Sequence, residues 1–218
     1  MFTVTTLVYL CFWFAMAMVA LKLFMPGSSK WLWVLVGAFL VSIVGDWFLR
    51  VNSRTGNDVD FILGVAGYFF AHVGFLIYGW KFITGRKKFS LIVGAVIMVP
   101  FLIFYFVRLL PSEALQGNMA LAAAVLIYLI ISCMTLAVAI DIKSGAKPSW
   151  TWFYAMGVAC LLASDTLIAL RHFGGDWFSN RGDWYRNYMF PLFFTSYGFI
   201  AASVVVKHLL EMRDGKKG

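Results

Sequence analysis

Residues 31–49 read WLWVLVGAFLVSIVGDWFL, a run with a single ionisable side chain, Asp46, near its end. A hydrocarbon core about 30 Å thick needs roughly 20 predominantly apolar residues for one helical crossing, and this run has that length. Six further windows of the same kind lie at 4–24, 61–80, 89–107, 120–140, 150–170 and 188–206. In lipid every backbone polar group must be satisfied within the protein, which only helices and closed barrels achieve. A barrel would show segments of about 10 residues alternating polar and apolar, whereas these windows are apolar all round. The sequence therefore predicts an all-α, polytopic transmembrane helical bundle of about seven spans. Composition agrees: 62% hydrophobic against 13% charged residues, with a mean hydropathy of +0.84, lies outside the balance of soluble domains.

The window at 4–24 has the length of a span, and no basic residue precedes it in Met-Phe-Thr-Val, so it is read as a helix rather than a signal peptide. No long polar stretch divides the chain, which predicts one membrane domain over residues 1–218. Cys11, Cys133 and Cys160 all fall inside windows without ligand spacing and read as small packing residues. Gly-Asp-Trp occurs at 45–47, 175–177 and 182–184, but only the first copy is within a window. The other two read as polar turns with tryptophans at the headgroup level, in the loop 171–187.

With seven spans, one side of the membrane carries twelve Lys and Arg: Lys22, Lys30, Lys81, Arg86, Lys87, Lys88, Lys143, Lys147, Lys207, Arg213, Lys216 and Lys217. The other carries six: Arg50, Arg54, Arg108, Arg171, Arg181 and Arg186. The positive-inside rule then places the C-terminus in the cytoplasm and the N-terminus outside, in a bacterial inner membrane or similar. This topology accounts for the net charge of +8, and the loops are too short for a nucleic-acid surface. The cluster Gly85-Arg86-Lys87-Lys88 is expected to meet anionic headgroups of the surrounding membrane lipids.

Ionisable residues inside the windows carry the most information, because a charge near the bilayer centre costs several kcal/mol and calls for a partner or a purpose. Lys22 is near a window end and can snorkel to the headgroups. Asp46, His72 and Asp165 remain. Counted from the window ends, Asp46 and Asp165 lie ~5 and ~8 Å below one face, His72 ~16 Å and Tyr197 ~14 Å. If spans two, three, six and seven enclose one cavity, two carboxylates near its mouth and an imidazole and a phenol deeper in would line it. Plainer readings stay open for each: an i,i+4 ion pair between Asp46 and Arg50, a helix-bridging hydrogen bond for Asp165, and a neutral interhelical role for His72, which has Tyr68 one turn away.

Two carboxylates in a partly dry pocket tend to separate in proton affinity, which equips them for acid and base steps in hydrolysis. A serine nucleophile is disfavoured by the lack of a Gly-x-Ser-x-Gly elbow. Of three histidines only His72 is central to a window, so a three-histidine zinc site is disfavoured too, while an Asp, Asp, His set stays open. No metal or cofactor is assigned. Buried acids of this kind would also suit a small ion- or proton-coupled transporter, and the bundle could equally be a non-catalytic lipid-binding protein.

The segments 42–49 (SIVGDWFL), 61–72 (FILGVAGYFFAH) and 159–169 (ACLLASDTLIA) together resemble the lysoplasmalogenase (YhhN-like) family of transmembrane hydrolases. They correspond in order to its Gly-Asp-x-x-Leu, Gly-to-His and, loosely, Ser-Asp-x-x-Leu-Ala patterns, and the resemblance extends over most of the chain from Trp31 onward. It implies hydrolysis of the vinyl ether bond of a lysoplasmalogen-type lysophospholipid to a fatty aldehyde and a glycerophospho-alcohol, without a cofactor. Asp46 and Asp165 would be the acid/base pair and His72 their orienting partner. Tyr197, Tyr68, Arg50, Ser42 and Ser164 would meet substrate. The chain departs from the family pattern at two polar positions: 195–201 (TSYGFIA) holds no glutamine, and Phe75 stands where a tyrosine is usual. The family is usually drawn with eight helices, and seven are readable here.

Overall fold

The computed structural model describes residues 4–24, 30–82, 87–145, 149–174 and 184–215. The Gly-Asp-Trp copy at 175–177, nearly all of that at 182–184, Arg86, Arg181, Lys147, Lys216 and Lys217 lie outside the described residues, as do the side chains of Lys87, Lys88 and Arg186.

The described residues form helices and no strand. Seven helices are long: α1 (Val4–Phe24), α2 (Leu32–Thr55), α3 (Asp58–Trp80), α4 (Lys87–Phe104), α6 (Met119–Gly145), α7 (Trp150–Phe173) and α8 (Trp184–Gly215). A short α5 (Glu113–Gln116) links α4 to α6, after a π-helical turn at Tyr105–Leu109. Six of the long helices have, among the described residues, the length and apolarity to cross a membrane. The chain is thus a multi-pass membrane protein with the all-α architecture its windows predict.

Several helices run past the windows, because hydropathy stops at the first charge whereas helical hydrogen bonding continues to a cap. α2 passes Arg50 and ends where Gly56, at φ 65°, gives its N–H to the Asn52 carbonyl. The next residue, Asn57, caps α3 by accepting from the Val59 N–H at 3.0 Å. α6 likewise extends beyond residue 140 and takes in Asp141. That carboxylate is buried and accepts a hydrogen bond from the Ser90 hydroxyl of α4, so an acid outside the windows is inside the protein. Ser90→Ala should therefore destabilise the bundle by about 1–3 kcal/mol, since a buried acceptor loses its donor. Ser144→Ala, at an exposed site on α6, should leave thermal unfolding in detergent unchanged.

The helices pack in a closed ring: α1 against α2, α2 against α3, α3 against α6, α6 against α7, α7 against α8, and α8 back against α1. α4 stands outside this ring on α6, and only 17% of its span is buried, against 39–50% for the other five. Lipid tails are as apolar as leucine, so close packing by small residues and interhelical hydrogen bonds hold such a bundle together. Aromatic rings fill the ring's centre. Tyr197 touches Phe14, Phe39, Phe75 and Phe193, with centroid separations of 4.5–6.4 Å. A second cluster, built on Phe61, Tyr105, Leu109, Leu121 and Phe173, closes the end of the bundle where α2 turns into α3. There Phe61 stacks on His172 at 4.0 Å.

Candidate functional site

The site begins with the α2–α3 contact. A Cβ on Gly67 would come within 2.7 Å of the Gly45 backbone, so the two helices meet at a depth that only glycine allows. This close approach brings the residues following each glycine together. The Tyr68 hydroxyl donates to Oδ1 of Asp46, and from α1 the Cys11 thiol lies 3.7 Å from Oδ2. Asp46 is 2% exposed, which a carboxylate tolerates only with partners of this kind.

One turn further along α3, His72 Nε2 lies 3.0 Å from Oδ2 of Asp165 on α7. Tyr68 and His72 are four residues apart and share a face, so α3 presents one partner to each aspartate. The His72 backbone is tied to α6, where Thr135 donates to its carbonyl at 3.4 Å, and the Tyr128 ring meets the imidazole edge-on at 5.3 Å. Tyr128 also lies beside Asp165.

Two polar atoms in this interior have no hydrogen-bond partner among the described residues: His72 Nδ1 and the Tyr197 hydroxyl, both on fully buried side chains. Buried polar groups are almost always satisfied, so each of these atoms marks a position where a water or a ligand hydroxyl would bind.

The structure pairs Asp46 with Tyr68 and His72 with Asp165 and buries Tyr197 in the same interior, at depths that differ from those counted along the windows. Asp46 precedes the end of α2 by nine residues and Asp165 the end of α7 by eight, ~14 and ~12 Å of helix rise. The carboxylates sit well inside the bundle rather than at its mouth, because both helices overrun the windows from which depth was counted. Ser42, one turn before Asp46, is fully buried and donates to the Phe39 carbonyl at 2.7 Å. Ser164 turns away from the aspartates and donates to the Met189 carbonyl of α8 at 3.3 Å, tethering α7 to α8. Arg50 is half-buried one turn beyond Asp46. Cys11 and Tyr128 were missed by sequence reasoning. Neither carries charge, and only the fold brings α1 and α6 to the aspartates.

The family model described as the YhhN family matches residues 1–204, nearly the whole chain. The chain belongs to the YhhN family. That family includes lysoplasmalogenases. Neither a curated protein nor a solved structure matches the chain significantly. Within this YhhN protein the Gly-Asp pair has a physical reason: Gly45 lets α3 approach, and the approach brings Tyr68 to Asp46. Phe75, where the YhhN pattern usually has tyrosine, is fully buried between Phe39, His72 and Tyr197.

Proposed function

We propose that this protein hydrolyses the vinyl ether bond of a lysoplasmalogen-type lysophospholipid, releasing a fatty aldehyde and a glycerophospho-alcohol. The observation that carries this reading is the pair of buried aspartates held by Tyr68 and His72 from adjacent turns of α3, with two unpartnered polar atoms in the same interior.

A vinyl ether is opened by adding a proton to its β-carbon, which leaves an oxocarbenium ion at the carbon bonded to oxygen. One aspartic acid supplies that proton. The other, as carboxylate, stabilises the cation and takes a proton from the attacking water. The hemiacetal so formed collapses, the ether oxygen leaves as the glycerol hydroxyl, and the carbon keeps the former water oxygen as aldehyde. One water is consumed and no electrons change hands, so the reaction needs no cofactor. His72 orients Asp165, and its free Nδ1 together with the Tyr197 hydroxyl holds the water or the substrate's hydroxyl. Ser42 and Tyr68 line the Asp46 side. Ser164 acts at one remove, by fixing α7 on α8.

The phosphate would meet Arg50 or Arg171, the latter six residues and ~9 Å of rise beyond Asp165, a span that suits the glycerol between phosphate and ether. Arginine at that end and the lysine-rich opposite end fit an external N-terminus and a cytoplasmic C-terminus, with the phosphate entering from the outer leaflet.

Purified protein incubated with matched vinyl ether and ester lysophosphoethanolamines should release aldehyde from the first and leave the second intact, read by mass. Unmodified vinyl ether lipid after long incubation would overturn the reading and favour a lipid-binding role.

A further inference from the structure

Outside the helical ring, α4, α6 and α7 enclose a narrow groove of about 40 Å³. Its walls are apolar: Phe101 and Phe104 from α4, Val125 and Leu129 from α6, Leu162 and Ala169 from α7. All six belong to membrane-spanning helices, and α4 is the least buried of these, so the groove borders hydrocarbon rather than water. From Val125 to Ser132 on α6, and from Leu162 to Ala169 on α7, it runs about 10 Å along the bundle. Part-way along, Asp165 is among the residues that line the groove, and its carboxylate holds His72 inside the ring.

We propose that this groove receives the hydrocarbon chain of a single-chain lipid directly from the bilayer and delivers its polar end to Asp165. An apolar groove open to the membrane, with one acidic residue in its lining, complements a molecule with one tail and one polar end. It suits neither a water-soluble substrate nor a second protein helix, which is too wide for so narrow a groove. The segment of chain next to the ether lies against Leu129 and Leu162, and the side chains of Phe101 and Phe104 close over it. The catalytic role of Asp165 rests on the function proposed above; the chain site does not.

The test uses the full-length protein in lipid nanodiscs with a saturated ether lysophosphoethanolamine that carries a diazirine in its chain and cannot be hydrolysed. Illumination should place adducts on 101–109, the end of α4 and the π-helical turn after it, and on 125–132 of α6, and Leu129→Trp should abolish them. With a vinyl ether substrate, Leu129→Trp should raise KM at least about tenfold, the loss expected when a few methylenes no longer bury, with kcat little changed. Phe104→Ala, which widens the groove without filling it, should restore adducts when combined with Leu129→Trp, so that a merely misfolded variant is recognised. Adducts confined to α1, α2 or α8, or labelling indifferent to Leu129→Trp in a protein of unchanged melting temperature, would refute the chain site. Adducts in the groove without aldehyde from any vinyl ether lipid would uphold the site and refute the hydrolase; aldehyde release with adducts elsewhere would do the reverse.

Discussion

Asp165→Asn should lower aldehyde release from a lysoplasmalogen by about 10²- to 10⁴-fold, the usual loss when a positioned proton donor or acceptor is removed. The substitution is nearly isosteric, and an amide oxygen can still accept from His72 Nε2, now 3.0 Å from the carboxylate. It can neither give up a proton to carbon nor take one from water. Asp46→Asn should cost as much for the same reason, since its amide oxygen can still accept from Tyr68. Because the aspartates act on one substrate in succession, the double variant should be little worse than either single one. The measurement is aldehyde captured and quantified by mass, on protein whose detergent melting temperature matches the parent. Full activity in either single variant would end the proposal of an aspartate pair.

Gly67→Val should lower the melting temperature in detergent by on the order of 5–10 °C, from overpacking of roughly 1–3 kcal/mol or more. Its Cβ would come within 2.7 Å of the Gly45 Cα and N, and backbone atoms cannot turn aside as a side chain could. The α2–α3 pair must then separate, which draws Tyr68 from Asp46 and removes activity along with stability. Gly37→Ala is the contrast on the same pair of helices, since a Cβ there meets nothing within 4 Å. It should leave both stability and turnover unchanged. A stable, active Gly67→Val protein would mean that α2 and α3 do not meet at these glycines.

The membrane fold was legible because hydrocarbon admits so few solutions. A run such as 31–49, apolar on every face, has no soluble reading, and repeating it along the chain dictates a bundle. The charges that lipid does not tolerate without cause, Asp46, His72 and Asp165, could be picked out on the same ground. Their partners were less accessible. Tyr68 stood one turn from His72 in the sequence, but nothing there said that it faces Asp46. Cys11 and Tyr128 are indistinguishable by pattern from the other cysteines and tyrosines of the spans. Asp141 escaped notice because it follows an apolar window rather than interrupting one, and only the overrun of α6 brings it inside to Ser90.

The sequence by itself determined the class of fold, the membrane setting, and which acids had to be explained, because each follows from the local cost of placing a group in lipid. Only the tertiary structure decided azimuth and depth. Helical rise gives a residue's height but not which neighbour it faces, and window ends mark where apolarity stops rather than where a helix does. The pairing of Asp46 with Tyr68 and of His72 with Asp165, and the groove that leads from the bilayer to Asp165, depend on how the helices close around one another. That closure is set by backbone contact at glycines such as Gly45 and Gly67, a property of two helices together and of neither alone.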